Sequence, residues 1–189
     1  KLVASFGHLT DLSLEQTKIG DAGIAHLAGL AKLEWLNLYQ TQVGDLGLGH
    51  LSKLPQLQHL PIGETRVSDA GMEHIAKMKR LVYLGLRGNK ISDAALAHLA
   101  KLTRLTELHL GETGITDKGT RQLAALGQLQ KLWLNDTRIT DASVPLLARL
   151  KQLQALYLHR TRLTVEGVRR LQKALPKCRI FYRSANMPE

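Results

Sequence analysis

The sequence predicts an α/β solenoid, with a parallel sheet along one side and helices along the other. Three observations lead to this prediction. Apolar residues recur every 24 positions across seven copies without an insertion, the apolar spacing changes midway through each copy, and helix-starting residues follow that change. A fixed period of about 20–50 residues indicates stacked repeats, so each element of one copy is expected in all of them.

The strand comes first in each copy. Leu12 and Leu14 lie two positions apart, which is typical of a β-strand because alternate residues of a strand share one face. Residues at the same position of successive copies form a column of the repeat. The clearest column holds leucine in every copy: Leu12, Leu36, Leu60, Leu84, Leu108, Leu132 and Leu156. A Thr or Asn column follows, from Thr17 to Thr161, and we expect its buried side chains to satisfy backbone groups of the turn.

A helix comes second. Ile24, Leu27 and Leu30 lie three apart, a helical spacing. The predicted N-caps are Ser68, Ser92, Thr116, Thr140 and Thr164. Aspartates at the next position would place a carboxylate at the positive end of each helix: Asp21, Asp45, Asp69, Asp93, Asp117 and Asp141.

One copy cannot bury its own apolar face, so the copies must stack. Strands pack about 4.7–4.9 Å apart and helices about 8–10 Å apart, which curves the stack with the strands inside. The predicted domain covers 1–189, with a partial repeat at 1–8, seven repeats over 9–176 and a terminal strand and cap at 177–189. Because Val3 and Phe6 match the Leu27 and Leu30 columns, we expect a preceding helix and a chain that is a fragment of a longer protein.

The pattern LxxLxLxxTxITDxGLxxLxxL resembles the leucine-rich repeat, in a bacterial variant similar to the cysteine-containing subclass. The resemblance covers nearly the whole chain. It implies a right-handed, horseshoe-shaped solenoid with the parallel sheet on the concave face and the helices on the convex face. For function it implies only a recognition surface.

Positions that alternate with the core leucines face the concave side, and their identities vary between copies. Both tryptophans and three of the four tyrosines fall there: Trp35, Trp133, Tyr39, Tyr83 and Tyr157. Large amphipathic rings that face solvent are frequent anchors of binding surfaces. The alternative is that the rings stack along neighbouring strands only to support the sheet.

The predicted ligand-binding residues are Trp35, Tyr39, Tyr83, Arg87, Glu107, His109, Glu112, Trp133, Asp136, Tyr157, His159 and Arg160. His109, Trp133, Tyr157 and Phe181 share one column and should form a ladder of rings, unless Phe181 belongs to the end cap. Glycines near the middle predict a shallow notch, although an irregular repeat explains them equally well: Gly63, Gly85, Gly88 and Gly111.

The charge is unevenly spread. The net charge is +10, yet residues 1–50 carry 3 basic and 5 acidic side chains while residues 149–189 carry 10 and 2. This asymmetry indicates an acidic partner at the C-terminal end or a solvated basic cap. Charges on the concave columns are nearly balanced, which argues against nucleic-acid binding because phosphates require a positive stripe.

The sequence does not predict a metal site, a catalytic site or a membrane-spanning helix. His26, His50, His74 and His98 recur with the repeat, but ligands about 8–10 Å apart cannot converge on one metal ion. No catalytic or cofactor-binding motif is present, so neither an enzyme nor a cofactor is predicted. Cys178 is expected to be a buried thiol, and no apolar run approaches the roughly 18–20 residues that a membrane-spanning helix needs.

The leading hypothesis is therefore a non-enzymatic module that binds a protein or peptide partner through the concave sheet, without nucleic acid and without membrane insertion. Carbohydrate recognition is the first alternative, with rings as stacking platforms and with hydroxyl contacts from Asn37, Asn135, Asp136 and Glu112. The second is an accessory domain of a larger enzyme or signalling protein. A structural spacer or an engineered array is the third.

Overall fold

A computed structural model describes residues 6–183 of the chain. Eight parallel strands form one sheet in strict chain order, β1-β2-β3-β4-β5-β6-β7-β8. The strands are β1 Asp11–Ser13, β2 Trp35–Asn37, β3 His59–Pro61, β4 Tyr83–Gly85, β5 Glu107–His109, β6 Lys131–Trp133, β7 Ala155–Tyr157 and β8 Arg179–Phe181. The architecture is that of an α/β repeat solenoid, as predicted.

The strand register reproduces the sequence period. Leu12 pairs with Leu36, Leu84 with Leu108 and Leu156 with Ile180, so paired residues are 24 positions apart from one end of the sheet to the other. The last of these pairs joins β8, Arg179–Phe181, to the end of the sheet. A register slip of one residue would turn the leucines outward, so the buried face itself fixes the pairing.

The helices line the other side of the sheet and are short. They are α1 Asp21–Ile24, α2 Asp45–Leu51, α3 Met72–Ile75, α4 Asp93–Leu99, α5 Asp117–Leu123, α6 Val144–Leu147 and α7 Val165–Ala174. Single 3₁₀ turns precede or follow three of them, at Ala25–Leu27, Asp69–Gly71 and Asp141–Ser143. No helix of residues 6–183 is long and apolar enough to cross a bilayer.

The core lies between the sheet and the helices. Leucine columns from successive repeats form one continuous cluster, and Leu36, Leu84 and Leu132 are completely buried. Burial of one such side chain contributes about 1.5–3 kcal/mol. Cys178 is also buried, as predicted, and burial raises the pKa of its thiol.

The predicted roles of the polar columns are confirmed at the turns. Thr41, Thr113 and Thr137 donate from Oγ1 to the carbonyl three residues earlier, at 2.6–2.7 Å. Ser92 and Thr116 cap their helices by accepting a backbone N–H two residues later.

The aspartates accept hydrogen bonds that the sequence did not predict. Each carboxylate reaches the cap of the next repeat rather than only the start of its own helix. Asp93 accepts the Thr116 backbone N–H at 2.8 Å and the Thr116 hydroxyl at 2.6 Å. The same contacts join Asp45 to Ser68 and Asp141 to Thr164. These bonds form an aspartate ladder that ties the repeats together along one edge.

The prediction for the N-terminus was a helix around Val3 and Phe6. Phe6 lies in a turn equivalent to that of Leu30 and is 54% exposed. Val3 and the helix expected around it lie outside the described residues. The final residues, 184–189, lie outside them as well.

Candidate functional site

The candidate site is the sheet face, the side of the sheet turned away from the helices. Short strands place alternate side chains on this face because the leucines between them point into the core. Trp35, Trp133 and Tyr157 are all only partly buried, so none of them belongs to the hydrophobic interior. The rings therefore occupy the predicted surface.

A ladder of four rings crosses the C-terminal half of the sheet face. Trp133 and Tyr157 stack with centroids 5.1 Å apart and planes 7° apart. Tyr157 and Phe181 stack at 4.4 Å and 4°, so Phe181 belongs to the ladder. His109 ends it, tilted by 52° from Trp133. Because neighbouring rings cover one another's faces, the accessible parts of the ladder are mainly the ring edges.

Rings and glycines form a depression in the N-terminal half. Gly63 lies under the ring of Tyr39, since a Cβ there would approach ring atoms at 3.1–3.2 Å. Gly85 lies beneath the Tyr83 hydroxyl in the same way, at 2.9 Å. The resulting glycine depression has a volume of about 240 Å³. Of the four glycines of the predicted notch, Gly63 and Gly85 line this depression. Its complete lining is Glu15, Asn37, Tyr39, Pro61, Gly63, Tyr83, Gly85, Arg87 and His109.

A second depression, the ladder depression, lies beside the ring ladder and has a volume of about 340 Å³. Its lining is Arg87, His109, Gly111, Glu112, Trp133, Asn135, Asp136, Tyr157 and Arg160. Arg87 and His109 line both depressions. The two therefore form one continuous surface from Glu15 of the first repeat to Arg160 of the seventh.

Ion pairs between adjacent repeats neutralise the charges of the ladder depression. Arg87 contacts Glu112 Oε1 at 2.6 Å, and Arg160 donates to both carboxylate oxygens of Asp136 at 2.5 and 2.9 Å. Two cations and two anions leave the depression without net charge.

His109 adds no charge near neutral pH. Burial, together with the positive charge of Arg87, lowers its pKa from 6.5 to about 4. In the glycine depression, the hydrogen bond from the Tyr39 hydroxyl to Glu64 raises the pKa of Tyr39 and lowers that of Glu64. The ladder depression is therefore polar but without net charge at physiological pH, whereas the lining of both depressions together holds two cations and three carboxylates.

Three of the predicted residues line neither depression. Trp35 lies on β2 beyond the glycine depression, and Glu107 forms an ion pair with Lys131 at 2.9 Å. His159 follows β7, where its backbone N–H donates to Asn135 Oδ1.

The sequence predicted the rest of the polar lining only in part. Asn37 and Asn135 line the depressions and were predicted only as contacts for carbohydrate hydroxyls, whereas Glu15 was not predicted to bind a ligand. Asn37 donates to Glu15 at 2.7 Å across the first two repeats. Their positions in the variable columns could have identified them, because every residue of those columns reaches the sheet face.

Comparisons with known proteins agree with this architecture. Residues 8–28 and 101–124 match the family model described as Leucine Rich repeat. No curated protein sequence matches the chain at a significant level. An internalin of Listeria monocytogenes, InlF, superposes with a TM-score of 0.77 at 26% identity, over 98% of this chain and 50% of its own length. The chain therefore spans about half of that protein.

Two further solved structures share the fold at lower identity. Internalin C2 of Listeria monocytogenes has a TM-score of 0.65 at 22% identity, covering 92% of this chain and 80% of its own. A leucine-rich-repeat protein of Leptospira interrogans has a TM-score of 0.67 at 21% identity, covering 94% and 50%.

Proposed function

We propose that this chain, which is a leucine-rich-repeat protein, is a non-enzymatic recognition module that binds a protein or peptide through its sheet face. The leucine-rich-repeat fold is commonly a protein-binding module. The observation that carries the proposal is the ladder of rings beside a neutral depression. Rings that are already held in place lose little conformational entropy on binding, which favours them as anchors.

The chemistry of the ladder depression suits an uncharged, extended segment of polypeptide. Among residues 6–183, neither Trp133 Nε1 nor the Tyr157 hydroxyl has a hydrogen-bond partner, and neither atom is buried. Both are donors that backbone carbonyl groups of a ligand would accept. The outward ring edges are electropositive and favour the same carbonyl oxygens.

Carbohydrate recognition is less well supported at the ladder. Sugars bind aromatic residues through the faces of the rings, and the stacked faces of Trp133, Tyr157 and Phe181 cover one another. This alternative is restricted to the glycine depression, where Tyr39 and Tyr83 lie over glycines. A glycan array that binds the chain and loses its signal on Tyr39→Ala substitution would support it.

The proposal is tested by selecting a displayed random-peptide library against the chain and measuring the affinity of the selected peptides. The double variant Trp133→Ala, Tyr157→Ala should bind them at least about tenfold more weakly, because buried aromatic anchors each contribute about 2 kcal/mol or more. The measurement is a fluorescence-anisotropy titration.

A matched control removes two exposed apolar side chains from the helical side. Leu46 and Val165 are 76% and 56% exposed, and Leu46→Ala, Val165→Ala should leave the affinity unchanged. Equal affinity of both double variants would refute binding at the ladder. Thermal melting of each variant separates a lost contact from a lost fold.

A further inference from the structure

The two long edges of the solenoid carry very different charges. The return edge comprises the segments that lead from each helix back to the next strand, 29–34, 53–58, 77–82, 101–106, 125–130, 149–154 and 173–178. It holds eleven basic residues and a single acidic one, Glu34. The basic residues are Lys32, Lys53, Lys77, Lys79, Arg80, Lys101, Arg104, Arg149, Lys151, Lys173 and Lys177.

The opposite edge is balanced. The exit edge comprises the segments between each strand and its helix, from 17–22 to 161–166 at the same period. It holds six basic and seven acidic residues, the latter including the aspartate ladder. The excess positive charge of the chain is therefore concentrated on one side of the solenoid, and it is not confined to the C-terminal end as the sequence indicated.

Helix capping explains only part of this concentration. Lysines near helix C-termini favour the last carbonyl groups, and Lys79 and Lys151 do donate to carbonyl oxygens of the next repeat at 3.4 and 3.3 Å. Lys77 pairs with Glu73 at 3.3 Å. Within residues 6–183, most of the other basic side chains of the return edge have neither an acidic nor a carbonyl partner, and all eleven are exposed.

Two depressions open on this edge, each with an apolar floor below a basic rim. One, of about 180 Å³, has Leu54, Leu57 and Met78 beneath Lys77 and Arg80. The other, of about 120 Å³, has Leu153 and Leu175 beneath Lys151 and Lys177. Apolar groups next to cations complement an amphiphile that carries a negative head group.

We propose that the return edge binds an anionic phospholipid surface. Equivalent residues of stacked repeats lie side by side. Several cations of the return edge can therefore contact the phosphate groups of a flat lipid surface at the same time. Each Lys or Arg near such a surface strengthens adsorption, and the effects of several accumulate. The contact is peripheral and leaves the sheet face open, so it does not depend on the proposed peptide binding.

The same charges suit nucleic acid less well. None of the seven return segments contains Phe, Tyr or Trp, so bases have no ring to stack on. Eight of the eleven cations are lysines, which act as point charges, whereas arginine recognises single phosphates with two parallel hydrogen bonds. The phosphate backbone of a nucleic acid also offers no apolar group that would pack against the apolar floors of the two depressions.

The test compares two variants of equal net charge. The return-edge variant is Lys53→Gln, Lys77→Gln, Lys101→Gln, Arg149→Gln, Lys173→Gln. The exit-edge variant is Lys18→Gln, Arg66→Gln, Lys90→Gln, Arg138→Gln, Arg162→Gln. Both remove five exposed cations. Binding is measured by co-sedimentation with vesicles of phosphatidylcholine containing phosphatidylglycerol, and with vesicles of phosphatidylcholine alone.

The unsubstituted chain should bind only the vesicles with phosphatidylglycerol. The return-edge variant should partition at least about fiftyfold more weakly, and the exit-edge variant should stay within about threefold of the parent. An equal loss in both variants would show a nonspecific effect of net charge and overturn the proposal. So would tighter binding to duplex DNA than to the vesicles at the same salt concentration. Circular dichroism confirms that each variant is folded.

Discussion

At the scale of single residues, the surroundings of a side chain decide its chemistry more than its type does. His109 lies at the end of the ring ladder, partly buried and near Arg87. Tyr39 is tied to Glu64, whereas Tyr157 has an accessible hydroxyl. Similar residues of the variable columns thus act as support in one repeat and as candidate anchors in another.

The low pKa of His109 makes the stability of the fold depend on pH. Because the folded pKa of about 4 lies below the unfolded value of 6.5, the unfolded chain binds a proton that the folded chain does not between these values. The free energy of unfolding should therefore decrease as pH falls from 6.5 to about 4.

Urea denaturation across this pH range measures the effect. The variant His109→Gln, which cannot take up the proton, should show a weaker dependence on pH. Identical slopes for the parent and the variant would contradict the assignment.

The sequence predicted other single-residue features only in part. Among residues 6–183, six non-glycine residues adopt positive φ three positions after the end of a strand, including Glu64, Glu112 and Asp136. Most of their residue types do not predict this conformation, since glycine, asparagine and aspartate are the usual choices. Gly88, with φ of +69°, occupies the same position of its repeat and is the residue that most clearly suggests it.

At the scale of elements, the contacts between repeats stabilise the helices as much as the contacts within each repeat. Helices of four to ten residues are too short to be stable alone. The aspartate ladder and the shared core hold each helix against its neighbours. Asp117 accepts the Thr140 N–H at 2.8 Å, the Thr140 hydroxyl at 2.7 Å and the Ser143 hydroxyl.

Asp117→Ala should therefore lower the free energy of unfolding by about 1–3 kcal/mol, because a partly buried backbone N–H and two hydroxyls lose their acceptor. Asp11→Ala is the control, since this carboxylate is exposed and, within residues 6–183, accepts a hydrogen bond only from its neighbour Thr10. Its effect should stay within about 0.5 kcal/mol. Similar destabilisation by both substitutions in urea denaturation would show that the ladder contributes nothing.

The 24-residue period made the strands and helices predictable, but it did not predict the side-chain contacts between repeats. A 24-residue period places Leu12 against Leu36, and hence every strand and its register. It cannot say that Asp93 turns toward Thr116 of the next repeat, because that requires the distance between turns. Nor can it show that Arg87 pairs with Glu112, which depends on side-chain conformations across two strands.

At the scale of the whole molecule, the repeat separates three surfaces. The sheet face carries rings and neutralised ion pairs, the exit edge carries the aspartate ladder, and the return edge carries the excess of lysine. A solenoid allows this separation because each position of the repeat lies on one side throughout. A partner bound to the sheet face leaves both edges accessible, which is compatible with simultaneous contact at the return edge.

The central claim is that a partner covers the rings of the sheet face, and the fluorescence of Trp133 tests it most directly. In the variant Trp35→Phe, Trp133 is the only tryptophan of the chain. Addition of a selected peptide should reduce the acrylamide quenching of its fluorescence, because the bound segment excludes the quencher from the ladder depression. Unchanged quenching, with the peptide shown by anisotropy to be bound, would place the binding surface elsewhere.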